Sequence, residues 1–260
     1  VKLVSTLLGA HVIPVEYREQ RSEYVEQLIH ETIPAVAREH LATCCDVFVD
    51  SAAFTIDEAR RVLQAGTHAG LAPKIHADQL SWGGGAELAA EVGAISADHL
   101  EHASDAGIAA MADRGVVAVS LPLASLYLQQ RGIPARKLIA AGVPVAVATD
   151  FNPGSAPSYH LPLAMTLACV LQCMSPAEVL KGATIYAARA IGAVARVGSL
   201  ESGKAADFAL IDAPTVEHWL YHFRANACLM TVIDGTLRWL APERRESNFV
   251  GDGSKPPMIV

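Results

Sequence analysis

The chain has 260 residues, a formal net charge of −7 and 52% hydrophobic residues, much of that alanine. This length fits one large α/β domain or a domain and a half, and the lack of any basic block argues against nucleic acid or an anionic membrane as partner. No apolar run of about 18 residues predicts a membrane-spanning helix, and the five cysteines lack C-x-x-C spacing, which argues against a disulfide scaffold or cysteine zinc site and fits a reducing cytoplasm.

The opening Val1–Ala10 has neither the length nor the cleavage site of a signal peptide and reads as a strand already under way. Apolar runs at about 3–10, 45–51, 73–77, 94–100, 115–121 and 143–150 predict six strands. Between them, stretches such as Glu23–His30 and Ile56–Leu63 repeat apolar residues at helical spacing, and Thr55 with Glu58 has the form of a capping box. Successive βα units predict a parallel sheet of α/β type, and closing a TIM-like (β/α) barrel would take two more strands. Past residue 160, Ser175-Pro176 opens a helix, and a second one over Thr184–Ile191 is ended by Gly192. Gly198–Asp212 then reads as a glycine turn and a strand, and Leu229–Trp239 as a hairpin about Asp234-Gly235. Residues 196–240 are thus expected to form a small β subdomain, and 241–260 a polar, mobile tail.

Chemistry gathers where the strands end. Pro144–Ala148 is an apolar run that finishes in Thr149-Asp150 and breaks into the turn Phe151-Asn-Pro-Gly-Ser155. His11, His76 and His99 occupy the corresponding positions after other runs. A single such histidine is more often a hydrogen-bonded structural residue, and a single Thr-Asp is as readily a helix cap. Four strand ends each finishing in His or Asp would converge on one barrel mouth. Imidazole nitrogens and a carboxylate oxygen suit Zn²⁺ or Fe²⁺ with a position left for water, whose pKa such an ion lowers to about 7.

Four motifs, Leu8-Gly-Ala-His11, Lys74-Ile-His-Ala-Asp-Gln79, Ser96-Ala-Asp-His-Leu100 and Ala148-Thr-Asp-Phe-Asn-Pro-Gly-Ser155, carry a resemblance. Residues 1 to about 239 resemble the amidohydrolase superfamily and, within it, the imidazolonepropionase family. The resemblance implies hydrolysis of the ring amide of 4-imidazolone-5-propanoate to N-formimidoyl-L-glutamate, in histidine degradation. It implies one divalent metal ion, Zn²⁺ or Fe²⁺, held by His76 and Asp150, with His11, Asn152, Gly154 and Ser155 binding substrate. His99 would stabilise the tetrahedral intermediate or shuttle a proton. Gln79 stands where many members have a glutamate that activates water; an amide hydrogen-bonds but takes no proton, so Asp150 or His99 would handle it. A cytoplasmic homodimer is a further implication. The family's H-x-H metal pair, on its first barrel strand, occurs nowhere in residues 1–260. The chain is therefore expected to lack the first third of such a protein, with barrel strands three to eight in residues 1–195 and the C-terminal part of a composite β subdomain in 196–240.

Other residues have plainer expectations. Tyr159 and His160 are expected to pack at a helix start, and Glu101 and His102 to face solvent. Trp219, His218, Tyr221 and His222 are expected to pack the subdomain on the barrel. The loop Ser81-Trp-Gly-Gly-Gly85 lacks the Gly-Lys-Ser/Thr of a phosphate cradle and is expected to be a flexible lip. Two other readings are a heterocycle aminohydrolase of the same superfamily and a non-catalytic half-barrel whose two open edges bind a partner.

Overall fold

The computed structural model describes residues 2–51, 53–223, 226–242 and 258–260. Six parallel strands occupy the six apolar runs: β1 (Thr6–Ala10), β2 (Cys44–Val49), β3 (Ala72–Ala77), β4 (Ser96–His99), β5 (Val117–Ser120) and β6 (Val145–Val147). They pair in chain order, each with the next. The helices α1 (Arg21–Gln27), α2 (Ile33–Arg38), α3 (Ile56–His68), α4 (Gly85–Glu91), α5 (Asp105–Arg114), α6 (Pro122–Tyr127), α7 (Ala135–Ala140), α8 (Leu161–Gln172), α9 (Pro176–Lys181) and α10 (Ala187–Ala190) follow or link these strands. This is a partial TIM-like barrel. No described helix is long and apolar enough to cross a membrane.

Local sequence explains most of these boundaries. Thr55 and Glu58 form the reciprocal cap of α3, and Ser175 with Glu178 does the same for α9. Glu58 also takes a two-pronged hydrogen bond from Arg21, at 2.6 Å for each nitrogen, which clamps α1 to α3 and holds the Glu58 carboxyl down at about 2. Pro34 cannot donate the backbone bond its position calls for, and the helix widens over Leu28–Thr32 just before it.

The pleat divides the sheet into two faces. On β3, Pro73, Ile75 and Ala77 are buried while Lys74 and His76 are half-buried on the opposite side. Val47, Ile75 and Ala97 join the apolar core with the helices. Asp46, Lys74, His76 and Asp98 alternate with these residues and so share the other face. One side of the sheet holds the fold together, and the other carries charge.

The two edges differ. β1 leaves Leu8 exposed, with Leu3 and Val12 exposed on either side of the strand. On β6, Pro144 and Ala148 bond to β5, so Val145 and Val147 turn their backbone groups outward. The turn Gly182–Tyr186 lies against that outer edge. A Cβ on Gly182 would sit 2.9 Å from the Val145 carbonyl, so a side chain there would push the turn off. Among the described residues, then, β1 is the open edge and β6 is covered, a correction to the expectation of two open edges.

A second, antiparallel sheet has the order β10-β7-β8-β9, built from β7 (Phe208–Ile211), β8 (Cys228–Ile233), β9 (Thr236–Leu240) and β10 (Met258–Ile259). Asp234 and Gly235 both have positive φ, 50° and 71°, the backbone of a tight hairpin turn between β8 and β9. The expected mobile tail, 241–260, falls largely outside the described residues, but its last strand pairs with β7 and is no free end. Between β7 and β8, α11 (Val216–Tyr221) buries Trp219 in the main core, and Thr166 of α8 donates to the Leu220 carbonyl at 3.0 Å.

Candidate active site

The ends of β1, β3, β4 and β6 bring His11, His76, His99 and Asp150 to one end of the parallel sheet. His76 sits beside His99, with ring centroids 5.3 Å apart, and beside His11, at 4.6 Å. His76, His99 and Asp150 each offer a ligand atom within 4.8 Å of the others. Several of these strand ends leave the strand through left-handed backbone: φ is 49° at Asp78, 78° at His99, 65° at Leu100 and 53° at Asp150. Non-glycine residues reach that region only under restraint by their surroundings, and such strain gathers at functional sites.

Behind His76 stands a carboxylate. Asp46, on β2, is buried, and its Oδ1 lies 2.9 Å from His76 Nδ1 and 3.3 Å from His11 Nε2. Burial alone would raise the Asp46 carboxyl, but His76 and His11 outweigh it and hold it well below the usual carboxylate range. Burial likewise disfavours a charged His76, yet the facing Asp46 carries its pKa up to about 9. His11, Asp46 and His76 form a second close group of possible ligand atoms. Sequence reasoning missed Asp46. The signal was present in Cys44-Cys45-Asp46-Val47-Phe48-Val49, where one carboxylate interrupts a buried strand and therefore needs a partner.

The Asp150 carboxylate is held more loosely, its Oδ2 accepting from Asn152 Nδ2 at 3.3 Å. Burial raises its carboxyl, against the pull of His99 and His76. Asn152 organises the turn that follows: its Nδ2 donates to the Asp150 carbonyl at 2.7 Å and to Ser155 Oγ at 3.0 Å, and its Oδ1 accepts from Gly154 N and Ser155 N, both at 2.8 Å. Gln79 lies half-buried in the bend after β3.

Two expectations are corrected here. Glu101 does not face solvent: it is 3% exposed and accepts from Ser125 Oγ at 2.8 Å, while His102 is half-buried with Nδ1 2.9 Å from Arg131. The left-handed pair His99-Leu100 bends the chain inward instead of letting it run out of the sheet. The glycine loop is no flexible lip, because buried Asp78 pins it by accepting from the N–H groups of Gly83, Gly85 and Ala86 at 2.8, 3.2 and 2.9 Å. As expected, His160 starts a helix, its Nδ1 accepting from Leu163 N at 2.9 Å, whereas Tyr159 is exposed and meets the exposed Phe151 ring rather than packing at the helix start.

The sequence pattern of the amidohydrolase family matches residues 50–238. The chain belongs to the amidohydrolase family. Imidazolonepropionase of Geobacillus kaustophilus is 53% identical over 235 residues, covering 90% of this chain and 55% of that protein. Imidazolonepropionase of Bacteroides thetaiotaomicron is 44% identical over 237 residues, covering 91% of this chain and 57% of its own length. The chain thus spans about half the length of the curated relatives it matches. Among solved structures, an adenosine deaminase from Xanthomonas campestris with bound zinc superposes with a TM-score of 0.70 at 22% identity, over 94% of this chain and 62% of that one. Atrazine chlorohydrolase from Arthrobacter aurescens, complexed with zinc, gives 0.64 at 16% identity, over 82% of this chain and 55% of that one. At such identities these two speak for the amidohydrolase fold alone.

Proposed function

We propose that this amidohydrolase chain supplies the His76–His99–Asp150 part of a metal-dependent site that hydrolyses the ring amide of 4-imidazolone-5-propanoate to N-formimidoyl-L-glutamate. The observation that carries the reading is the meeting of those three side chains at the strand ends, within 4.8 Å of one another. The reaction class and substrate follow from relatives about half identical over nine-tenths of the chain that are named imidazolonepropionase.

The donor set fits a divalent cation, Zn²⁺ or Fe²⁺: imidazole nitrogen from His76 and carboxylate oxygen from Asp150, with His99 alongside. Such an ion, when bound, supplies Lewis acidity that polarises a carbonyl and lowers the pKa of water towards about 7. The rest falls to the protein. Asp150 takes the proton that water gives up as its oxygen bonds to the ring carbonyl carbon. The same proton then goes to the ring nitrogen as the C–N bond breaks, which opens the ring. His99, with its Nε2 as acceptor, takes up and passes the proton between water and nitrogen, or, once both ring nitrogens are protonated, donates a hydrogen bond to the oxygen that gains charge. Gln79 orients by hydrogen bonding and takes no proton. Asn152 holds the Asp150–Ser155 turn in shape, and His11, beside His76, binds the propanoate or the ring.

The test is turnover of 4-imidazolone-5-propanoate by the protein at its natural length. Wild type is expected to open the ring, and Asn152→Ala to lose at least tenfold in kcat/KM, because the turn that presents Asp150 comes apart. Full turnover in Asn152→Ala would remove the Asp150–Ser155 turn from the reaction, and wild type that leaves the imidazolone intact while deaminating another heterocycle would favour the aminohydrolase reading.

A further inference from the structure

Behind His99 lies an arrangement that the proposed reaction has not used. Glu101 is 3% exposed, as is His99, and Ser125 Oγ of α6 donates to its Oε1 at 2.8 Å. The other oxygen, Oε2, has no hydrogen-bond partner among the described residues, and neither has His99 Nδ1. These two orphans face each other at 3.8 Å. A buried carboxylate oxygen and a buried ring nitrogen are each costly to leave unpaired. Closing the gap by about one ångström would satisfy both with a charge-assisted hydrogen bond. The backbone prepares the contact: φ of 78° at His99 and 65° at Leu100 turns the chain off the strand path and seats Glu101 against α6.

We infer that Glu101, steadied by Ser125, is a positioning residue for His99, accepting its Nδ1–H and so fixing the ring orientation and tautomer that leave Nε2 for the mouth of the site. An imidazole whose one nitrogen is committed to a carboxylate presents the other in a defined state, as the partner of a working histidine does. Without that acceptor the ring proton is free to sit on either nitrogen. Glu101 touches neither substrate nor metal in this account and acts through His99. The catalytic use of the fixed tautomer rests on the proposed hydrolase function, whereas the tautomer itself does not.

The experiment is ¹⁵N-resolved NMR of the imidazole rings in the metal-free protein at its natural length at pH 8, with the His99 signal assigned by its loss in His99→Gln. The expected result is a proton on His99 Nδ1 in wild type and its redistribution towards Nε2 in Glu101→Ala. A bare Nδ1 in wild type overturns the inference even if Glu101→Ala fails to fold, and so does an unchanged Nδ1–H in a folded Glu101→Ala. Failure of the two proposals is distinguishable. A bare Nδ1 together with turnover that still depends on His99 would remove the positioning role alone. A protonated Nδ1 with full turnover in His99→Gln at natural length would leave the tautomer result standing and remove His99 from the reaction.

Discussion

Two imidazoles on neighbouring strands, His76 and His99, each have a buried carboxylate behind them, and the two pairs are built differently. His76 and Asp46 are closed at 2.9 Å, whereas His99 and Glu101 stand 3.8 Å apart. The first pair comes from adjacent strands in register: Asp46 lies opposite Lys74 and Phe48 opposite His76, so Asp46 reaches His76 across one step of the ladder. The second is local, two residues apart on a chain bent by left-handed backbone. Sheet register delivers a rigid partner at hydrogen-bond distance, while a strained turn brings its partner close and leaves a gap to close. On this view Asp46 holds the proposed ligand His76 in place, and Glu101 is proposed to set the state of His99.

Breaking the closed pair should have the largest effect. Asp46→Ala removes the acceptor at His76 Nδ1 and is expected to weaken divalent-cation affinity by ~10–100-fold, the usual cost of losing a carboxylate behind a ligand histidine. Chelator competition measures this, and an unchanged affinity would reduce Asp46 to a structural residue. The same pair predicts a pH dependence in the metal-free chain. Because the folded His76 pKa is raised from 6.5 to about 9, its contribution to stability is complete below pH 6.5 and is lost as pH rises through about 9. Asp46, depressed from 3.8, contributes above that value and loses its contribution only in stronger acid. Denaturant unfolding at pH 6 and pH 10 should show the alkaline loss, and Asp46→Asn should flatten it; an equal slope in the variant would contradict the pair. The smallest effect is expected at the open pair's support: Ser125→Ala deletes one hydrogen bond to Glu101 and should cost about 1 kcal/mol, while His99 keeps its Nδ1 proton. Loss of that proton in Ser125→Ala would show that the hydroxyl, not the carboxylate, sets the tautomer.

The same contrast explains what the sequence made legible. Strands appear as apolar runs and caps as Thr55–Glu58 and Ser175–Glu178, since both are written within a few neighbouring residues. His76, His99 and Asp150 could be named because each ends a run, and a parallel sheet gathers such ends at one side. Asp46 could not be assigned a partner, because register between strands is a long-range property. Glu101 reads as exposed in the sequence because a charged residue after a strand usually is; its burial depends on φ at His99 and Leu100, which residue identity does not announce. Asp78 hides in the same way, as its three backbone partners lie in a loop that composition alone marks as free.

The central claim is that His76 and Asp150 hold one divalent cation, and metal content tests it most directly. The protein at its natural length, expressed with Zn²⁺ or Fe²⁺ supplied and then dialysed, should retain about one ion per chain. Asp150→Asn and His76→Asn should each retain far less while still folded by circular dichroism. Wild type without bound metal, or variants that keep the full complement, would contradict the account.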